Sequence, residues 1–159
     1  IGMLGGIGSS MILGNFDSTF ASHPEMALFI PLIGGTGGNV GTQSSAIVVQ
    51  GLANSSLDAS NTWKQILKES VVALINATII SMLVYIYNFI CFGATATVTY
   101  SVSLSLFAVI MFASIFGTLV PLTLNKMKID PAIATGPFIT TTNDILAMVF
   151  YMGITALLA

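Results

Sequence analysis

The sequence has little charge and almost no side chains of the kind that build catalytic or metal–sulfur centres. Only 6% of its 159 residues are charged, and it contains one histidine and one cysteine. Soluble proteins carry about 25% charged residues, so an ordinary soluble domain is excluded. The single cysteine, Cys91, excludes an internal disulfide and a thiolate cluster, and its apolar neighbours predict a buried, inert thiol. The four basic residues form no basic patch, which excludes nucleic acid as a partner.

Common catalytic motifs are missing as well. The sequence contains no GxSxG, HExxH or GxxxxGKS/T pattern. One histidine cannot supply a zinc site, and an aspartyl protease needs two deep aspartates where this chain has one. The glycine-rich stretch lacks the dinucleotide fingerprint, because after Gly35 and Gly37 the third glycine, Gly41, comes one position late. We therefore expect that the chain is not an enzyme.

Apolar residues dominate what is present. They make up 55% of the chain, and the mean hydropathy is +0.94. A helix needs about 20 apolar residues to cross the hydrocarbon core of a bilayer. Division of the chain at its charges, prolines and turn residues predicts an all-α membrane protein with five transmembrane helices, at about 1–15, 25–53, 62–92, 98–126 and 131–159. The short first segment is interpreted as a truncated spanning helix, with a signal-peptide core as the alternative.

The start of the fifth predicted helix has a clear signal. Asp130 precedes Pro131, which places a capping carboxylate before a proline at the first helical position. Because the missing N–H of a proline costs nothing there, we expect the helix to begin at this proline and to continue without a break.

The basic residues orient the predicted helices. Two follow the loop between the second and third helices and two lie between the fourth and fifth: Lys64, Lys68, Lys126 and Lys128. In a five-span chain these two loops share a side, which the positive-inside rule makes cytoplasmic. We therefore expect the N-terminus inside and the C-terminus outside. An external loop would hold Asp17, His23 and Glu25, as solvated residues or, for the last two, as a weak cation site.

Asp144 is the one acidic residue deep in a predicted span. It lies about 20 Å along the helix axis from Pro131, which is near the middle of a bilayer. A carboxylate there costs several kcal/mol (about 3 on insertion scales) unless it is paired or wetted, and no lysine lies deep in a predicted span. We interpret Asp144 as a ligand in an ion pathway. The alternative is a protonated aspartate that is hydrogen-bonded between helices.

The neighbours of Asp144 favour the ion pathway. Gly136, Thr140 and Asp144 recur every four residues on one helix face, and Asn143 lies beside them. Pro137 removes the hydrogen bond to the carbonyl of Ile133, which then needs a water or a cation. The sequence therefore predicts a strip of small and oxygen-bearing groups.

The stretch "PLIGGTGGNVGTQSS", from Pro31 to Ser45, brings glycines and amides into an apolar segment. Gly34 with Gly38, and Gly37 with Gly41, have the spacing that lets helices pack closely. Packing alone explains these glycines, but Asn39 and Gln43 need polar partners in hydrocarbon. If the second helix packs against the fifth, these amides approach the strip around Asp144. Oxygen ligands without sulfur or imidazole select Mg²⁺, Ca²⁺ or Mn²⁺.

That stretch and "DPAIATGPFITTTNDILAMVFY" together resemble the membrane domain of MgtE-type magnesium channels, over essentially the whole chain. The resemblance implies a homodimer with a pore between helices 2 and 5 of both protomers, and cytosolic regulatory domains in the full-length protein. It also implies that Asp144 is the central Mg²⁺ site and that the carbonyl of Thr140 faces the ion. Asn39 and Gly136 would lie toward the cytoplasmic mouth.

We therefore expect a homodimeric, Mg²⁺-selective channel domain that mediates passive influx across the plasma membrane, the inner membrane of a bacterium. The expected metal-site residues are Asp144, Thr140, Asn143, Gly136, Asn39 and Gln43. Two alternatives remain at this point. One is a proton- or sodium-coupled exchanger of divalent cations, and the other is a membrane enzyme or a membrane subunit without transport activity.

Overall fold

The computed structural model describes residues 2–54, 62–93, 97–134 and 136–158. All regular structure in these ranges is helical. The α-helices are α1 (Gly2–Gly14), α2 (Asp17–Ser22), α3 (Ile30–Ala53), α4 (Thr62–Phe92), α5 (Thr97–Lys126) and α6 (Pro137–Leu158). Two 3₁₀ helices, Pro24–Phe29 and Pro131–Ala134, precede α3 and α6. The prediction of an all-α fold is confirmed.

Three described helices are long and apolar enough to cross a membrane: Trp63–Phe92, Thr97–Lys126 and Pro137–Leu158. The helix α1 is apolar but has only 13 residues. The 24 residues of α3 give a length of about 36 Å, but its glycines and amides make it less apolar than these three. The five-span arrangement stays a prediction.

The helix α5 lies at the centre of the bundle, since α3, α4 and α6 all pack against it, and α1 packs against α6. The buried core joins α3, α5, α6 and the first 3₁₀ helix around Met26, Ile33, Leu106, Val109, Met148 and Tyr151. The Tyr151 hydroxyl donates a hydrogen bond to the Met26 carbonyl at 2.8 Å. This bond ties α6 to the segment that leads into α3.

Two predicted helix boundaries were wrong. The second predicted helix begins with a 3₁₀ helix, Pro24–Phe29, and becomes α-helical only at Ile30. The fifth is interrupted after Pro131–Ala134, and Gly136 has a φ of +64° before α6 begins at Pro137. A residue before proline is disfavoured in the helical region, and glycine accepts a positive φ readily. The Gly136–Pro137 pair therefore starts a new helix.

This break changes the position of two predicted features. Pro137 is the first residue of α6, where its missing N–H costs nothing, so the predicted gap inside the helix at Ile133 is wrong. Asp144 lies about 10 Å from the start of α6, a helix of about 33 Å. It therefore belongs to the first third of its helix and not to the middle.

The prediction of a buried Cys91 was also wrong, because this side chain is exposed. It lies near the end of α4, a helix whose surface is apolar on almost every side. Apolar neighbours predict burial in a soluble protein, whereas in a membrane helix they are equally typical of a surface that faces lipid.

Candidate cation site

The site lies where α3 packs against α6, and glycines set the distance between the two helices. If Gly38 were alanine, its Cβ atom would lie 3.0 Å from Oδ1 of Asp144 and 3.1 Å from Cγ2 of Thr140. A Cβ at Gly41 would collide with the Asn143 side chain. The packing of the second predicted helix on the fifth is therefore confirmed, and the reason for the glycines is close approach.

The helix α5 supports α3 from behind in the same way. A Cβ at Gly117 would collide with the carbonyl oxygen of Gly41, so these two backbones are in contact. One turn further along α3, the hydroxyls of Ser44 and Ser114 lie 3.1 Å apart in the buried interface. These contacts fix α3 between α5 and α6.

A cavity of about 280 Å³ opens beside this contact. Its lining combines α1, the start of α3 and the first half of α6: Ser9, Ile30, Pro31, Gly34, Gly35, Gly38, Asn39, Thr140, Asp144 and Met148. Six waters occupy about 180 Å³ in liquid water, and Mg²⁺ holds six oxygen ligands. The cavity therefore has room for a divalent cation that keeps its inner water shell.

Asp144 supplies the formal negative charge of this cavity. Its carboxylate is half-buried and lies over Gly38, with Gly34 one turn away. Across the described ranges, the single ion pair joins His23 and Glu25 at 3.3 Å, so no lysine there neutralises Asp144. A half-buried carboxylate without a basic partner there is stabilised either by a cation in the cavity or by a proton.

Thr140 and Asn39 also lie on the cavity. The Thr140 hydroxyl is 3.1 Å from the Thr42 hydroxyl and 3.1 Å from the Gly136 carbonyl. These two hydrogen bonds hold the Thr140 side chain in one orientation at the cavity. Asn39 is exposed on α3 and lines the cavity.

Gln43 and Gly136 are not part of the cavity lining. Gln43 is exposed one turn beyond Asn39 on the same face of α3. The Gly136 carbonyl accepts hydrogen bonds from the Thr140 N–H at 3.0 Å and the Thr140 hydroxyl at 3.1 Å. These two residues therefore flank the cavity without facing its centre.

The structure does not place Asn143 with the other predicted residues. Its side chain is buried against Gly41, on the side of α6 that faces α3 and α5. Neither its amide oxygen nor its amide nitrogen has a hydrogen-bond partner among the described residues. Adjacent residues in a helix point about 100° apart, so Asn143 faces the interior when Asp144 faces the cavity.

Sequence reasoning missed the contribution of α1. A Cβ at Gly5 would collide with Thr141, and one at Gly8 would lie 3.3 Å from Cδ1 of Ile145. Through this contact α1 brings Ser9 to the cavity that holds Asp144. The small residues of "GGIGSS" were the available signal, since small residues allow helices to approach.

The chemistry available at the site is oxygen coordination. Within the described ranges, no group of three or more His, Cys, Asp and Glu side chains lies together. The cavity offers a carboxylate, a carboxamide and hydroxyls, which suit hard cations and hold them through water. The His23–Glu25 pair is separate and lies before α3.

Comparison with known proteins is consistent with this chemistry. Residues 30–154 match the MgtE family model, which is described as a divalent cation transporter. The magnesium transporter MgtE of Bacillus subtilis is 36% identical over 149 residues, 94% of this chain and 33% of the relative. Those of Enterococcus faecalis and Thermus thermophilus are 30% and 29% identical, over 96% and 98% of this chain and 33% and 34% of the relatives. The chain thus spans about a third of the length of these curated relatives.

Proposed function

Because the chain belongs to the MgtE family of divalent cation transporters, we propose that it is a Mg²⁺-selective channel domain that mediates passive influx across a plasma membrane. The observation that carries this proposal is the Asp144 carboxylate, which is half-buried in a cavity beside Asn39 and Thr140 and has no basic partner among the described residues. The names of the curated relatives support Mg²⁺ as the transported ion.

The proposed mechanism uses the slow dehydration of Mg²⁺. This ion keeps several of its waters when it binds a protein. The Asp144 carboxylate attracts the charge, and the oxygens of Asn39 and Thr140 accept hydrogen bonds from the water shell. A membrane potential of 100 mV drives an inward divalent charge by about 4.6 kcal/mol, twice the value for one charge. No other energy source is required.

The proposed assembly is a homodimer with the cavities of the two copies facing each other. The exposed face of α3 supports this arrangement, because its residues are mainly small or polar: Leu32, Gly35, Asn39, Gln43, Ile47 and Gln50. Amides on a membrane helix need partners or water. A second copy would cover this face and bring a second Asp144 to the same ion, as two-fold symmetry requires.

We further propose that Gln43, Gly136 and Asn143 serve this site indirectly. Gln43 extends the polar face of α3 beyond the cavity. Gly136 anchors the Thr140 hydroxyl, and Asn143 packs α6 against Gly41. The ion would then contact the oxygens of Asp144, Thr140 and Asn39 through water.

The proposed orientation has five transmembrane helices per protomer, a cytoplasmic N-terminus and an external C-terminus. The positions of the lysines support it. Since the chain covers about a third of the length of its relatives, we also propose that the full-length protein carries cytosolic regulatory domains.

Purified chain in liposomes tests the proposal. We expect Mg²⁺ uptake that is driven by an inside-negative potential alone, with no proton or sodium gradient, and that rises with the potential. Uptake that requires such a gradient would instead indicate a coupled exchanger. A chain that moves no divalent cation would favour a subunit without transport activity. A detergent-solubilised mass of one copy would contradict the dimer.

A further inference from the structure

The helix α1 forms a third wall of the cation cavity, and two glycine contacts set its position on α6. Gly5 contacts Thr141, and Gly8 lies against Ile145. The residue numbers of the two helices rise together along this contact, so α1 and α6 run in the same direction. Ser9 follows Gly8 directly and lines the same cavity as Asp144.

Ser9 lacks the backbone hydrogen bond that several other hydroxyl residues of the protein make. Many serines and threonines here donate to the backbone carbonyl four residues earlier, as Ser10 does to Gly6 at 2.9 Å and Thr142 does to Phe138 at 2.9 Å. Such a bond occupies the hydroxyl proton and fixes the side chain. Among the described residues Ser9 has no hydrogen-bond partner, and its side chain is half-buried on the cavity.

The cavity lining contains four polar side chains: Ser9, Asn39, Thr140 and Asp144. The Thr140 hydroxyl is already shared with Thr42 and Gly136. Ser9 therefore offers a free hydroxyl opposite the polar groups of α3 and α6. A hydroxyl is both a donor and an acceptor, so it can accept a hydrogen bond from a water that a cation holds.

We propose that Ser9 is a specificity-determining residue of the cation site, whose hydroxyl accepts a hydrogen bond from the inner water shell of the ion held by Asp144. This inference rests on the proposed function. An ion that keeps its waters gains from an acceptor that lines the same cavity as the carboxylate, whereas an ion that sheds them does not. Ser9 thus favours the binding of hydrated Mg²⁺.

The test measures uptake by the chain in liposomes for Ser9→Ala, Ser9→Thr and Ser10→Ala. Ser10 is the matched control, because it is the neighbouring serine on the same helix, exposed and bonded to Gly6. We expect Ser9→Ala to raise the Mg²⁺ concentration for half-maximal uptake about fivefold, the value of one hydrogen bond. Ser9→Thr keeps the hydroxyl and should restore the wild-type value, and Ser10→Ala should not change it.

Cobalt hexaammine provides a second measurement, because its six ammonia ligands donate hydrogen bonds and do not exchange during the assay. Block of Mg²⁺ uptake by this ion should weaken in Ser9→Ala by a similar factor and stay unchanged in Ser10→Ala. An altered helix contact would lower the maximal rate without changing this block. Equal block and equal half-maximal concentration in Ser9→Ala and wild type would overturn the role of Ser9 while the proposed function stands. A wild-type chain that moves no Mg²⁺ would overturn both.

Discussion

The helices α3 and α4 are both long enough to cross a bilayer, but they present opposite surfaces to the rest of the protein. Most of α4 is exposed and apolar, with a mean hydropathy of 2.0 over its most apolar 18 residues, only 11% of which are buried. In α3 the buried residues are mainly small: Gly34, Gly37, Gly38, Gly41, Ser44 and Ser45, with Ile33 and Val48. The close contacts of α3 therefore come mainly from small residues, whereas α4 leaves most of its large apolar residues exposed.

The difference has a physical cause. Lipid tails are as apolar as leucine side chains, so an apolar helix surface gains little by moving from lipid to protein. Close contact between backbones does improve van der Waals packing, and glycine permits it. The cavity then forms beside α3 because its glycines leave space next to Asp144.

The largest expected effect is the difference in stability lost when a leucine is truncated in the core and on the exposed face of α4. Leu106 is fully buried on α5, whereas Leu83 on α4 is 62% exposed. We expect Leu106→Ala to lower the free energy of unfolding by about 2–5 kcal/mol, because it leaves a cavity. The same substitution at Leu83 should change it by less than about 0.5 kcal/mol. Unfolding in detergent, followed by circular dichroism, measures both, and equal losses would show that α4 is packed against something.

Glycine substitutions should give effects of opposite sign. A Cβ at Gly117 would meet the Gly41 backbone, which cannot move aside, so Gly117→Ala should destabilise the protein by about 1–3 kcal/mol. Gly153 on α6 has nothing within 4 Å of the added atom, and alanine favours a helix by about 1 kcal/mol. Gly153→Ala should therefore stabilise it. The melting temperatures of the two variants provide the measurement, and a stabilising Gly117→Ala would contradict the close contact with Gly41.

The smallest expected effect concerns a single hydrogen bond. Tyr151→Phe removes the hydroxyl that donates to the Met26 carbonyl but keeps the ring, and we expect a loss of about 1 kcal/mol. Tyr87, which is 58% exposed on α4, is the control, and Tyr87→Phe should change stability by less. The same unfolding assay compares them. A neutral Tyr151→Phe would mean that this bond does not hold α6 to the segment before α3.

The sequence was sufficient to predict the helical class and to raise the packing of α3 on α6 as a hypothesis. The spacing of Gly34 with Gly38, and of Gly37 with Gly41, indicated a face that a second helix could approach. The neighbours Asp144 and Thr140 then followed from helical periodicity. These features depend on local patterns, which a sequence displays directly.

The interruption before α6 was not predicted, because Pro131 and Pro137 both fit the first position of a helix. An Asp–Pro pair starts a 3₁₀ helix as readily as an α-helix, and only the positive φ of Gly136 reveals the second start. The direction of Asn143 and the exposure of Cys91 depend on which helices surround them. Ser9 reaches the cavity through the contact of Gly5 with Thr141. The small residues of "GGIGSS" permit such a contact, but they do not identify the helix that makes it.

The central claim is that the cation passes the Asp144 carboxylate, and substitution by asparagine tests it most directly. Asp144→Asn keeps the shape of the side chain and removes a half-buried charge without a basic partner in the described residues, so folding should be preserved. Asp17→Asn, at an exposed acid of α2, is the matched control. We expect Mg²⁺ uptake into liposomes to fall to the level without protein in Asp144→Asn and to stay near the wild-type value in Asp17→Asn. Undiminished uptake through Asp144→Asn would contradict the account and favour a protonated aspartate that only joins helices.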